Sequence, residues 1–228
     1  MQFSEVNRLL DPKPMPLEMG FERLPSGVAH VAARTDMHGC TGKMFEWWFR
    51  FGANTQQYSW WHPLDHGASF WKNVTEGTHI GSEHFIEESF GAIPSEPLIV
   101  QFRDPNEFFD MNLFHAALEK GDISGAVVGR IAVGHEPHRL PNGAVLGGRL
   151  LHIPRDTPWG CVLRSHFFVG QDLADKGVPF DEMVQIVSDA FMPALMRHAY
   201  EEFTFLSRFL PSLYGAENRK LEMPVSPW

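Results

Sequence analysis

Two groups of histidine and carboxylate side chains, far apart in the sequence, have the residue types that bind divalent metals. One group comprises His62–His66 and His84–Glu88, and the other comprises His198 and Glu202 within a strongly helical segment. Residues four apart on a helix lie on the same face, so His198 and Glu202 could bind one ion together. With a further histidine and glutamate they would form a site for zinc or a similar divalent metal. This pattern predicts a metal-dependent hydrolase.

The first group leaves two choices open. His62 and His66 are also four residues apart, but Pro63 favours a loop over a helix, so the sequence does not decide which histidine is the ligand. Glu87 and Glu88 point to opposite faces of an expected strand, and Glu88 shares its face with the histidine four residues earlier. Spacing alone does not decide between the two carboxylates.

Composition excludes several classes of protein. The 228 residues include 19 basic and 28 acidic residues, a formal charge of -9, without the basic block that phosphate contacts would need. We therefore expect no nucleic-acid partner. No apolar run approaches the ~20 residues that span a bilayer, and the first residues lack an apolar signal core. Cys40 and Cys161 are isolated. We expect a cytoplasmic protein with reduced thiols and no membrane partner.

Periodicity and breakers predict the order of the elements. We expect one domain over 1–228, with an irregular N-terminal arm at 1–35, a short buried helix at 43–51 and a loop at 58–71. Strands are expected at 79–90, 97–102, 114–119 and 125–133, followed by a hairpin of 145–153 with 161–169. A helical region should run from Pro179 to about Phe209, kinked or divided at Pro193, and end before Pro211.

This order predicts an α+β fold in which a curved antiparallel sheet holds a long C-terminal helix. Such an arrangement leaves an internal cavity, and His198 and Glu202 would point into it. Five tryptophans lie within a short stretch and could form the wall of a pocket for a flat organic ligand: Trp47, Trp48, Trp60, Trp61 and Trp71. On the expected hairpin, His152 and His166 could each act as a general base or contact a substrate, although an ordinary buried role is favoured for His166.

At these residues the chain resembles the 2,4-diacetylphloroglucinol hydrolase family, which includes phloretin hydrolase. The string Y-x-x-W-H-P-x-D-H from Tyr58 to His66 is the most specific part of the resemblance. The remaining parts are Glu46-Trp47-Trp48, Glu88-Ser89-Phe90-Gly91, the hairpin from Arg155-Asp156-Thr157 to Arg164-Ser165, and His198-x-x-x-Glu202.

The resemblance implies a Bet v 1-like helix-grip fold and one zinc ion held by two histidines and two glutamates. It implies hydrolysis of the bond between an acyl carbon and a phloroglucinol ring, with metal-activated water attacking the acyl carbonyl. The ligands it implies are His66, Glu88, His198 and Glu202. Tyr58 would contact the substrate and His152 would be the acid or base. Ser69 stands where the family has an amide side chain, a departure that bears on the substrate rather than on the metal.

Three other functions fit the same pattern. The chain could be a non-catalytic helix-grip protein that binds an aromatic small molecule, since a fold does not fix a function. It could be another metalloenzyme on this scaffold, such as a cyclase, a decarboxylase or a β-diketone hydrolase. Mixed histidine and glutamate ligands also permit iron, as in an oxygenase. For the hydrolase, the partner would be a small aromatic ketone substrate, and a homodimer is compatible with the sequence.

Overall fold

The computed structural model describes residues 1–218. Within these residues, a single antiparallel sheet of eight strands forms the framework. The strands are β1 (Gly20–Arg23), β2 (Ala29–His38), β3 (His66–Lys72), β4 (Glu83–Phe90), β5 (Ile93–Arg103), β6 (Val127–Val133), β7 (Gly148–Thr157) and β8 (Gly160–Val169). Their order across the sheet is β1-β2-β8-β7-β6-β5-β4-β3, so β1 and β3 are the two edges. The expected α+β class is confirmed.

In the described part of the chain, six α-helices accompany the sheet. They are α1 (Gly42–Phe51), α2 (Thr55–Trp61), α3 (Met111–Lys120), α4 (Gln171–Asp175), α5 (Phe180–Ile186) and α6 (Phe191–Glu217). The predicted short buried helix is α1, which begins at the N-cap Thr41 and ends where Gly52 adopts a left-handed conformation with φ 68°. None of the helices within residues 1–218 has the length and apolar character needed to cross a bilayer.

The long helix α6 lies against the sheet and buries one face. Ala199, Phe203, Leu206 and Leu210 are completely buried along it, at the spacing of one helical face. Phe203 packs on Phe45 of α1 with ring centroids 5.5 Å apart, so the core joins α6, α1 and the sheet. Burying the three large side chains among them contributes several kcal/mol, at ~1.5–3 kcal/mol for each.

A buried ion-pair network joins the helix α4 to the central strands β6 and β7. Arg130 of β6 and Arg149 of β7 are register partners, and both bind Asp172 of α4 at 2.6 Å. The second carboxylate oxygen of Asp172 accepts hydrogen bonds from the Gly147 backbone and from Arg149, both at 2.7 Å. One carboxylate therefore satisfies two buried guanidinium groups, which ties α4 to the two strands.

Three expectations about elements are wrong. The arm predicted at 1–35 to be irregular contains a 3-10 helix, Phe3–Leu10, and the strands β1 and β2. The loop predicted at 58–71 is instead the end of α2 followed by β3, because Asn54 caps α2 and Pro63 breaks the chain only after that helix has ended. The strand predicted at 114–119 is the helix α3, which is capped by Asp110.

The C-terminal helical region is divided and ends at other residues than the sequence predicts. The chain is divided between α5 and α6, but Pro193 is the third residue of α6, where the first turn has no intrahelical hydrogen bond to lose. The predicted end before Pro211 is wrong, since α6 continues through this residue. Pro211 cannot donate to the Ser207 carbonyl, and the buried Cys40 thiol donates to that carbonyl instead, at 3.8 Å.

Candidate metal centre and cavity

The four residues implied as ligands are brought together by three elements. His66 is the first residue of the edge strand β3 and is the register partner of Glu88 on β4. His198 and Glu202 lie one turn apart on α6, on its buried face. All four side chains are buried. The sheet edge and the helix thus place two imidazoles and two carboxylates around one point.

The distances within this cluster are those between ligands rather than between hydrogen-bonded atoms. His66 Nε2 lies 3.5 Å from Glu88 Oε1 and 3.8 Å from Glu202 Oε2, and His198 Nε2 lies 3.7 Å from Glu88 Oε2. Hydrogen bonds of this kind are shorter. Ligand atoms ~2.1 Å from a tetrahedral zinc are separated by about 3.4 Å. Within residues 1–218, the nitrogen atoms of His66 and His198 and the oxygen of Glu202 form one of two groups close enough to share an ion. Glu88 lies beside this group and approaches His66 through Oε1 and His198 through Oε2.

The hydrogen bonds of the histidines fix their tautomers. His66 Nδ1 lies 3.0 Å from the Tyr58 carbonyl oxygen, and His198 Nδ1 lies 3.2 Å from Asp65 Oδ2. Carbonyl and carboxylate oxygens only accept, so both Nδ1 atoms carry the proton and both Nε2 atoms have a free lone pair. His66 Nε2 is buried without a hydrogen-bond partner among residues 1–218. The donor set therefore fits a divalent cation.

His62 has the opposite tautomer. Its Nδ1 accepts a hydrogen bond from the Asp65 backbone N–H at 3.1 Å, so in the neutral ring the proton is on Nε2. This Nε2 lies 3.6 Å from Asp65 Oδ2 and 3.5 Å from Glu201 Oε2. His62, Asp65 and His198 form the second group with ligand spacing. His62 nevertheless presents an N–H there rather than a lone pair, so the geometry favours His66 as the ligand.

The strand β4 separates the two candidate glutamates. Glu88 faces the cavity together with Ile86 and His84, whereas Glu87 is exposed on the other side. The alternation expected from the sequence is confirmed for this strand. The geometry favours Glu88 over Glu87 because only Glu88 can reach the histidines.

Burial shifts the pKa values of both carboxyl groups and of one imidazole in the cluster. It raises the pKa of Glu88 and raises that of Glu202 well above the ordinary value, and it lowers the pKa of the His66 imidazole well below its own. The Tyr58 hydroxyl donates to Glu88, and burial together with this carboxylate raises the pKa of Tyr58. Two carboxylates buried side by side are costly without a cation between them.

A cavity of about 560 Å³ opens beside this cluster, between the sheet and α6. Its wall is mostly apolar, with aromatic and aliphatic residues that include Phe49, Trp61, Ile131, Leu150, Phe167 and Leu195. Tyr58, Glu88, His198 and Glu202 line it at the metal-ligand end, and His84 and His152 are also part of its wall. An apolar cavity with a few polar groups is the usual form of a small-molecule site.

His152 lies where the sequence placed a candidate acid or base. Its ring lines the cavity, and its Nδ1 hydrogen-bonds with the Ser165 hydroxyl at 2.8 Å. Burial lowers its pKa to about 3, so the ring is neutral at physiological pH. His166 is not among the lining residues and hydrogen-bonds with His30 at 3.0 Å.

The tryptophan cluster does not form the pocket wall that the sequence suggests. Of its five members only Trp61 lines the cavity. Trp48 is buried in the core, Trp60 is 47% exposed, and Trp71 stacks behind His84 with ring centroids 3.9 Å apart. The cavity wall is instead formed largely by alternate residues of the strands.

Sequence reasoning gave no role to Asp65, Ser69 or His84. Asp65 accepts a hydrogen bond from His198. The signal in the sequence was its position next to the candidate ligand His66, within the string Tyr58–His66. His84 shares the face of Glu88, and its place in that alternation was the signal. For Ser69 the signal was its departure from the family's amide side chain, but its hydrogen bond to His84 on the neighbouring strand is visible only in the structure.

Comparisons with known proteins identify the family of this chain. A family model described as "DAPG hydrolase PhiG domain" matches residues 1–215. The 2,4-diacetylphloroglucinol hydrolase of a Pseudomonas species is 27% identical over 236 residues, which cover 92% of this chain and 75% of that protein. The phloretin hydrolase of Eubacterium ramulus is 26% identical over 220 residues, 87% of this chain and 72% of that protein. A crystal structure of a Mycobacterium smegmatis protein gives a TM-score of only 0.42 at 8% identity, covering 85% of this chain and 94% of its own, too weak a likeness to carry an argument.

Proposed function

Because this chain belongs to the DAPG hydrolase PhiG domain family, we propose that it hydrolyses acylphloroglucinol-type ketones with the help of a bound zinc ion. The chain is an enzyme, a hydrolase acting on carbon–carbon bonds in ketonic substances. The bond cleaved would join an acyl group to a polyhydroxylated aromatic ring. The observation that carries the proposal is the group of two imidazole lone pairs and two buried carboxylates at one end of an apolar cavity.

His66, Glu88, His198 and Glu202 would hold the zinc ion. His66 Nε2 is buried without a partner, and a cation there would satisfy it together with both carboxylates. Asp65 would act behind His198 by holding its Nδ1 proton. Zinc bound in such a site acts as a Lewis acid towards a carbonyl and lowers the pKa of water to ~7.

Hydrolysis of the acyl–aryl bond also requires that the ring change to its keto tautomer. An acyl–aryl bond resists hydrolysis because the leaving group would be an aryl carbanion. A polyhydroxylated ring avoids this by taking a proton at the acyl-bearing carbon and becoming its keto tautomer, so that the bond becomes that of a β-diketone. Water then adds to the acyl carbon, the ring leaves with the bonding electron pair as its enol, and a carboxylic acid is released.

Tyr58 and His152 are the groups we assign to the ring. Tyr58 is protonated at neutral pH, because burial raises its pKa, so its hydroxyl is a donor held beside Glu88. His152 is neutral, and it would exchange protons with the ring hydroxyls as the ring changes tautomer. A positioned acid or base of this kind contributes ~10²–10⁴-fold in rate. The apolar cavity wall would cover the faces of the ring and exclude water from it.

We also infer the helix-grip arrangement of a Bet v 1-like fold. The support for it is the position of the cavity between α6 and the cavity-facing residues of β4 to β8. In this arrangement the helix supplies half of the metal ligands and the sheet supplies the other half. The cavity between them is large enough for a substituted aromatic ketone.

Metal content and turnover, measured together, test this function. Purified wild-type protein should contain about one zinc per chain by mass spectrometry and should release phloroglucinol-type products from acylphloroglucinols. The His198→Ala/Glu202→Ala double variant and Glu88→Gln should lose both metal and activity. Glu87→Gln is the matched control, because Glu87 is exposed beside the same strand position, and it should retain both. A wild-type protein that folds without metal and binds aromatic ketones unchanged would refute the hydrolase mechanism and favour a binding protein.

A further inference from the structure

His84 lies on the cavity wall, and the proposed function gives it no role. It is on β4, two residues before Ile86 and four before Glu88, on the face that lines the cavity. Its ring makes an edge contact with Tyr58, with centroids 5.1 Å apart. Four residues of β4 separate His84 from Glu88, about 13 Å along an extended strand.

The hydrogen bonds behind His84 fix its tautomer. The Ser69 hydroxyl lies 3.0 Å from the Ala53 carbonyl oxygen and 2.8 Å from His84 Nε2. A carbonyl only accepts, so Ser69 gives its single proton to Ala53 and can only accept from His84. His84 Nε2 therefore carries the proton, and Nδ1 has a free lone pair. Within residues 1–218, Nδ1 makes no hydrogen bond of its own.

The ring is also held in place from behind. Trp71 stacks on His84 with centroids 3.9 Å apart and an interplanar angle of 10°. The Trp71 indole N–H donates to the same Ala53 carbonyl at 3.1 Å. One backbone oxygen thus fixes both residues that hold His84. Burial lowers the pKa of His84 to about 3, so the ring is a neutral acceptor.

We propose that His84 contacts the substrate directly, its Nδ1 accepting a hydrogen bond from the ring hydroxyl that lies opposite the acyl group. This inference rests on the proposed function, which places the acyl carbonyl at the metal-ligand end of the cavity. His84 is set back from Glu88 by four residues of β4, so it faces the part of a ring that is remote from the acyl group. Ser69 is a positioning residue that keeps the Nδ1 lone pair towards the cavity.

The test compares two ketones with the same acyl group. One is the acylphloroglucinol, and the other is the 2,6-dihydroxyphenyl ketone, which lacks the hydroxyl opposite the acyl group. His84→Phe keeps an aromatic ring but no acceptor, and it should lower kcat/KM for the trihydroxy ketone about 10-fold to 100-fold. For the dihydroxy ketone the loss should be below about 3-fold, because the hydroxyl that His84 would bind is absent.

Two further variants separate contact from general disruption. His79→Phe is the matched control: His79 is also buried among aromatic rings, but it does not line the cavity, so this variant should keep the preference of the wild type. Ser69→Ala should lose part of the preference for the trihydroxy ketone, and Ser69→Thr, which keeps a hydroxyl, should recover it. Zinc content and melting temperature should be unchanged in His84→Phe.

The outcomes also distinguish this inference from the proposed function. If the wild type binds the two ketones but cleaves neither, the hydrolase proposal fails, and His84 is judged by their dissociation constants, measured by tryptophan fluorescence. A hydroxyl preference in binding that disappears in His84→Phe supports the contact. Equal losses for both ketones, no loss for either, or a wild type that binds neither ketone would overturn it.

Discussion

Asp65→Asn is the substitution that most directly tests how the metal centre is held. The Asp65 carboxylate accepts hydrogen bonds on two sides: Oδ2 from His198 Nδ1 at 3.2 Å, and Oδ1 from the Ser89 hydroxyl at 3.1 Å and the Gly91 backbone N–H at 3.3 Å. The His198 hydrogen bond lowers the pKa of Asp65 to about 2, so the group is ionised in the folded protein. Asparagine has the same shape but only one accepting oxygen.

Either orientation of the new amide leaves a donor facing a donor. If its NH₂ faces His198, the imidazole proton moves to Nε2, where it blocks the lone pair that a metal needs. If its NH₂ faces Gly91, the backbone N–H loses its acceptor and the loop that carries the amide shifts. Loss of an orienting partner behind a metal ligand costs ~10–100-fold in metal affinity, about 1.4–2.7 kcal/mol.

The assay is a zinc titration in competition with a chromophoric chelator at pH 7. Glu201→Gln is the control, since Glu201 lies 3.5 Å from His62 and, within residues 1–218, forms no hydrogen bond or ion pair with His198. The affinity should fall in Asp65→Asn and remain within about twofold of wild type in Glu201→Gln, with both proteins folded by circular dichroism. An unchanged affinity in Asp65→Asn would refute the tautomer argument, and with it the assignment of His198 Nε2 as the ligand atom.

Three other predictions concern the same framework. Burial raises the pKa of Glu88 and Glu202, so the metal-free protein loses stability from these groups as pH rises above 4.5 and their protons are removed. The increase in melting temperature on adding zinc should therefore be larger at pH 8 than at pH 6, and an equal increase at both would contradict this sign. Tyr58→Phe should retain zinc but lower kcat by ~10²-fold or more, and a variant with wild-type kcat would remove Tyr58 from the proton chemistry. Asp172→Asn removes the carboxylate that binds two buried arginines and leaves Arg149 only the distant Asp175, at 3.8 Å, so it should cost ~3–5 kcal/mol in urea unfolding. A loss below about 1 kcal/mol would show that these arginines reach solvent.

The parts of the fold that local pattern determines were predictable from the sequence. The alternation of β4 placed Glu87 and Glu88 on opposite faces, and the spacing of His198 and Glu202 placed both on one face of α6. The prediction for 58–71 is wrong because Pro63 and Gly67 favour a loop, whereas Asn54, which caps α2, starts a helix before either of them. The helix α3 was read as a strand, although its Asp110 cap and its closing Gly121 were visible in the sequence.

The candidate site was less predictable where it depends on contacts between distant segments. No local pattern distinguishes His62 from His66, because their tautomers are set by the Asp65 backbone N–H and by the Tyr58 carbonyl. The same is true of His84, whose orientation depends on a serine of the neighbouring strand. Sequence reasoning identified the residue types for a metal site, but the direction of each lone pair came from the tertiary structure.

The position of His66 on an edge strand has a consequence for local unfolding of the sheet. β3 is held to the sheet through β4, with an irregularity in the pairing between His66 and Ser69. Local opening should therefore need less free energy in β3 than in the central strands, so its amide hydrogens should exchange with solvent faster than those of β7 or β8. A ligand that holds His66 against α6 would slow this exchange. Binding of a ligand at the metal-ligand end of the cavity would therefore reduce local unfolding of β3.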